Sequence, residues 1–224
     1  MVNRRVLIQS LAVASVSAGV SYLAAKGVSP FFQGSYVQLG TSITGGVSPK
    51  AAITPRIVGE RLGLLGINAG FDGACAGHHK FPGLEQRALY SIVDAITSGD
   101  WTPQNTETHP PLKLRFSQLM KVDFSDAHVG LEYGTNDFNY DRPMGLNSDA
   151  TPETFKGALN YSIKKLIATF PRLRLFLMTP TWRLNFAEKD SDKYPNETGH
   201  FLKEYVDGML EIAGQNHIPC LEPD

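Results

Sequence analysis

With 224 residues, 42% of them hydrophobic and 19% charged, the chain can bury a sizeable core and is most simply read as one domain. The 21 Lys and Arg against 22 Asp and Glu leave a net charge of −1, and without a basic block to track phosphates nucleic acid is a poor candidate partner. Cys75 and Cys220 form no C-x-x-C pair and lie in no histidine cluster of zinc-finger spacing, which argues against a structural metal.

Met1 to Arg5 is a short basic lead, and no charge follows from Val6 until Lys26. This is the layout of a secretory signal, with small residues at Val16-Ser17-Ala18 or Leu23-Ala24-Ala25 near a cleavage point, and Arg4-Arg5 loosely matches a twin-arginine signal. An uncleaved membrane anchor is the competing reading, weakened by the many Ser, Gly and Ala. Export is favoured, and residues 1–30 are set apart from a folded domain over 31–224. In an exported chain Cys75 and Cys220 could pair, or stay as two buried thiols.

Tyr36-Val37-Gln38-Leu39-Gly40 reads as a strand that breaks into Thr41-Ser42-Ile43-Thr44-Gly45-Gly46, a turn of small residues with a hydroxyl at its tip. Ser42 there is either a turn or cap residue or a nucleophile. A short helix follows from Thr54 to Leu62, then an apolar strand from Leu64 to Ile67 and the small-residue turn Asn68-Ala69-Gly70-Phe71-Asp72-Gly73-Ala74. Leu84, Ala88, Leu89, Ile92, Val93 and Ile96 predict one helix ending before Gly99. Residues 99–118, rich in proline and polar residues, predict a long lid or binding loop with Trp101 and His109 exposed. A third strand runs into Tyr133 and the turn Gly134-Thr135-Asn136-Asp137. A helix capped by Thr151 follows, then a fourth strand from Leu173 to Met178, a last helix from His200 to Ala213, and a strand beginning at Ile218. Alternating strands and helices place the chain in the α/β class with a mainly parallel sheet, whose carboxyl edges converge on one crevice.

Acyl transfer needs a hydroxyl nucleophile and donors aimed at the oxyanion, and these turns offer the Ser42 hydroxyl, backbone N–H groups at Ser42 and Gly73, and the Asn136 amide. In these blocks and their order the sequence resembles the SGNH hydrolases, the GDSL-type esterases and lipases, over roughly residues 35 to 224. The resemblance implies a flavodoxin-like three-layer α/β/α fold, Ser42 as nucleophile, Ser42, Gly73 and Asn136 as oxyanion hole, and hydrolysis of a small-molecule or saccharide ester, such as an O-acetyl group, without metal or organic cofactor. Thr41 stands where the family more often has Asp. The family's C-terminal Asp-x-x-His block, which supplies the general base, occurs nowhere in the chain. Two readings follow. A fragment of an active esterase would itself be nearly inactive, with the block expected within roughly 20 to 40 residues past Asp224; the other reading is a degenerate member that binds carbohydrate or a surface without hydrolysis.

The remaining histidines are weak substitutes. Glu197 and His200 have the acid-x-x-His spacing but precede the last helix and strand, so a helix-start His is the plainer reading. His78 and His79 follow the second block and could line a pocket or a solvated loop. His128 reads as a satisfied, partly buried His, and His109 and His217 carry no motif.

Overall fold

The computed structural model describes residues 34–46, 54–184 and 188–222. The proposed signal or anchor lies outside them, and among the described residues no helix is long and apolar enough to cross a membrane.

Five strands, β1 (Ser35–Gly40), β2 (Leu65–Gly70), β3 (His128–Glu132), β4 (Arg174–Met178) and β5 (Cys220–Leu221), form a wholly parallel sheet in the order β2-β1-β3-β4-β5. The chain leaves β1 to build β2 on one side and then returns to build β3 on the other. That reversal is a topological switch point, where open α/β sheets leave a crevice beyond the strand ends.

Side chains alternate across each strand. Val37, Leu39, Val129, Leu131, Leu175 and Leu177 face one side, in one buried cluster with residues of α3 (Leu89–Ser98), α4 (Pro110–Leu119), α6 (Phe155–Thr169) and α7 (Leu202–Gln215). On the other side α1 (Ser42–Gly45) and α2 (Thr54–Leu62) lie against Gly40, Gly66 and Gly70, which completes three layers. These helices come within backbone contact of the sheet because the strand positions carry no side chain. A Cβ on Gly70 would sit 2.1 Å from the Gly45 nitrogen, and one on Gly66 would sit 2.2 Å from the Pro55 oxygen. Gly70→Ala is therefore expected to destabilise the fold by about 1–3 kcal/mol or more, because backbone cannot swing aside as a side chain can. The urea midpoint reads this directly, and a midpoint equal to that of the wild type would show that α1 can shift.

Local elements differ from their sequence-based expectations where tertiary contacts intervene. The helix expected from Leu84 is divided into a 3₁₀ turn, Pro82–Arg87, and α3, with Ala88 extended between them. Leu89 N–H donates to Cys75 O at 2.9 Å, so a neighbouring loop satisfies a donor of the first turn. Residues 99–118 are not an open lid. They hold a 3₁₀ turn at Gln104–Thr106 and α4, whose Pro110 and Pro111 occupy starting positions that tolerate proline while Leu112, Phe116 and Leu119 are buried. Trp101 packs on the core, and His109 is exposed. Thr154, rather than Thr151, caps α6 by accepting from Gly157 N–H at 3.1 Å; the segment before it is drawn aside by His78 N–H donating to Pro152 O at 2.9 Å. α7 runs through Gly214 to Gln215. Cys75 and Cys220 are free thiols, since one follows β2 and the other lies in β5, at opposite edges of the sheet.

Candidate active site at the carboxyl edge of the sheet

Gly40 pairs with Gly70 on one side and Glu132 on the other, so β1, β2 and β3 end level, with the turn after each opening on one crevice. Ser42 is half-buried as the first residue of α1, where its N–H has no intrahelical acceptor. Thr41 caps this helix, its Oγ1 accepting from Ile43 N–H at 3.2 Å. A hydroxyl thus fills the capping role that an Asp could take at that position.

Below Ser42 a buried polar chain holds α1 to the sheet. Tyr36 OH donates to Gln38 Oε1 at 3.0 Å, Gln38 Nε2 donates to Thr44 Oγ1 at 3.2 Å, and the Thr44 hydroxyl donates to the Glu132 carboxyl. Burial raises the Glu132 pKa against the pull of these donors. Arg115 donates to both Gly45 O and Gly70 O, tying the end of α1 to the end of β2.

Phe71-Asp72-Gly73-Ala74 is a tight turn closed by Ala74 N–H donating to Phe71 O at 3.1 Å. Gly73 at φ +76° and Asp72 outside the positive-φ region make it type II, which requires glycine at its third position. Gly73 N–H forms no backbone hydrogen bond among the described residues.

Asn136 and Asp137 open α5 (Thr135–Asn139), and both are buried. Asn136 Nδ2 donates one of its two hydrogens to Ala74 O at 2.9 Å. The Asp137 carboxylate accepts from Ala76 N–H at 2.9 and 3.1 Å and from Gly134 N–H at 3.1 Å. The second and third turns are thereby stitched together. Burial pushes the Asp137 pKa up to about 6 against these donors, so it is mainly ionised at neutral pH. Its folded pKa exceeds the unfolded one, so its contribution is full below about 4 and is lost as pH rises through about 6. Relative to Asp137→Asn, the wild type should therefore gain about 2–3 kcal/mol between pH 7 and pH 4. Urea unfolding of both proteins at the two pH values measures this, and a pH-independent difference would count against it.

Of the residues singled out from sequence, Ser42, Gly73 and Asn136 come to one edge, whereas Glu197 and His200 do not form a pair. His200 Nδ1 lies 3.0 Å from Glu204 Oε1, and Glu197 N–H donates to Asp141 Oδ1 at 2.8 Å, because the 196–200 turn folds around the Asn196 side chain. His78 Nδ1 contacts Glu85 Oε1 at 2.5 Å. His128 is not the satisfied histidine expected: its Nδ1 is buried without a partner among the described residues, since Asp126 instead pairs with Arg174 at 2.9 Å. Burial raises the Cys75 thiol well above its ordinary pKa, which disfavours the nucleophilic thiolate. Sequence reasoning passed over Arg87 and Glu107 beside Gly73, whose roles arise from contacts without a local pattern, while His79, expected to line a pocket or a solvated loop, lies with its Nε2 3.0 Å from Gly73 O.

Beyond Gly73, a cleft of about 590 Å³ is flanked by Phe81, Tyr140 and Tyr194 with Asp141 and Glu197 on its walls. The Tyr140 hydroxyl lies 3.6 Å from where a Gly73 Cβ would sit, so the cleft adjoins the second turn. Among the described residues no group of three or more His, Cys, Asp or Glu could hold a metal ion.

The sequence matches no protein-family model and no curated protein sequence. Solved structures do match. A possible lipase from Chitinophaga pinensis superposes with a TM-score of 0.55 at 19% identity, over 85% of this chain and 67% of its own. A protein named as a GDSL-like lipase from Bacteroides ovatus gives 0.51 at 15% identity, over 84% of each chain. One named for the G-D-S-L lipolytic family, from Desulfitobacterium hafniense, gives 0.50 at 17%, over 85% of this chain and 77% of its own. The chain has the SGNH-hydrolase fold. Within that fold the three level strand ends and the β1/β3 switch point put Ser42, Gly73 and Asn136 at one edge of the sheet.

Proposed function

We propose that the protein is an SGNH-family serine esterase in which Ser42 attacks an ester carbonyl and Ser42 N–H, Gly73 N–H and the second Asn136 Nδ2 hydrogen receive the oxyanion. The observation that carries this reading is the Asn136-to-Ala74 hydrogen bond, which holds a side-chain donor beside a turn whose Gly73 N–H has no backbone partner among the described residues. Donors preorganised in this way act on charge that develops only in the transition state. The aromatic and carboxylate-walled cleft beyond Gly73 suits the alcohol part of a saccharide ester such as an O-acetylated sugar. The basic lead and uncharged run at the N-terminus support export as the route to such substrates, with a membrane anchor if that run is retained.

Among the described residues no histidine is hydrogen-bonded to Ser42, and this favours one rival, a binding module of the same fold. Turnover of p-nitrophenyl acetate by the full-length gene product, lost in Ser42→Ala, supports the esterase. Saccharide binding without turnover supports the module.

A further inference from the structure

Gly73 can serve as an oxyanion donor only if the peptide joining it to Asp72 is turned the right way. A trans peptide carries its C=O and N–H in opposite directions, so a clamp on Asp72 O also aims Gly73 N–H. Such a clamp is present. Arg87 Nη1 donates to Asp72 O at 3.0 Å. Arg87 is in turn held by a two-point pair with Glu107, Nε to Oε2 at 2.7 Å and Nη2 to Oε1 at 3.1 Å, and the Glu107 side chain is 2% exposed. Glu107 is itself fixed, since its Oε1 accepts from Thr108 and His109 N–H, each at 3.0 Å. On the far side of Gly73, His79 Nδ1 accepts from Phe81 N–H at 2.9 Å, which leaves Nε2 as the protonated nitrogen, donating to Gly73 O at 3.0 Å.

We infer that Arg87, locked by Glu107, is a positioning residue: it holds the central peptide of the Phe71–Ala74 turn so that Gly73 N–H faces the crevice. This rests on the esterase reading for its catalytic consequence but not for its geometry. The central peptide is the one that differs between type I and type II turns, and inside this turn neither its carbonyl nor its N–H has a partner. The outer contact from Arg87 therefore favours one orientation over its flip. A bidentate guanidinium suits the task because its fork is planar and fixed by the carboxylate.

Removing Arg87 alone strands a buried Glu107 carboxylate, which could prevent folding, so the decisive variant is Arg87→Met/Glu107→Gln. In the folded double variant kcat for p-nitrophenyl acetate should fall about 10- to 100-fold with KM changed less than about threefold, a split expected when an oxyanion donor is misaimed rather than when substrate binding is lost. In isotope-labelled protein, the strong NOE between Asp72 Hα and Gly73 HN that marks a type II turn should weaken, and one between the two amide protons should rise. This measurement reads the turn with or without turnover. A folded double variant that keeps either the Asp72–Gly73 NOE or the wild-type kcat overturns the inference. Should Ser42→Ala retain wild-type hydrolysis, the esterase reading falls and the NOE alone decides the orientation of the peptide.

Discussion

Replacing Ser42 with Ala in the full-length gene product is expected to lower ester turnover by about 10⁴-fold or more, leaving only the catalysis that donors and binding provide by themselves. The expectation rests on placement: Ser42 follows the end of the interior strand β1, beside the switch point, on a four-residue helix tied down through Gln38, Thr44, Glu132 and Arg115. Stability should hardly change. Ser42 is half-buried, and its side chain neither caps α1 nor joins the polar chain beneath it, so the thermal midpoint should stay within a degree or two of the wild type. A covalent phosphonate probe should label the wild type at Ser42 and leave Ser42→Ala unlabelled. Retained hydrolysis with an unchanged midpoint would remove Ser42 as nucleophile.

Asn136→Ala is expected to lower kcat by about 10²–10³ with a smaller effect on KM, the usual consequence of losing one preorganised donor to an oxyanion. Unlike Ser42→Ala, this change should also cost stability. Asn136 is buried and its Nδ2 supplies a hydrogen bond to Ala74 O, and a stranded buried acceptor costs about 1–3 kcal/mol. The two effects are separable by assaying well below the thermal midpoint. Asn136→Asp sharpens the test, because it replaces a donor with an acceptor of negative charge at the oxyanion position and should be at least as inactive. Full kcat in a folded Asn136→Ala protein would take the side chain out of the oxyanion hole.

Local sequence was enough for the strands that run into Gly40-Thr41-Ser42 and Gly134 to Asp137, because apolar runs and small-residue turns follow from short-range sterics. It also sufficed for the α/β class and for the three blocks at strand ends that hold Ser42, Gly73 and Asn136. It was not enough for β2, which continues through Asn68-Ala69-Gly70, read as turn, because pairing with Gln38-Leu39-Gly40 of β1 holds those residues in the sheet. It failed where a distant segment completed a local one. The break at Ala88 depends on Cys75 O taking a donor from Leu89, and α6 begins late because Pro152 O is held by His78. The helix hidden in the proline-rich 99–118 stretch needed the burial of Leu112 and Phe116 to be recognised. Glu197 and His200 kept their spacing and still did not meet, since Asn196 folds that turn on itself and Glu204 reaches the histidine first. Only the tertiary structure paired Arg87 with Glu107 and set that pair on Asp72 O. Contacts between residues about 15 to 20 apart along irregular chain leave no periodic trace, because their partners are chosen by where the sheet and its turns have placed the backbone.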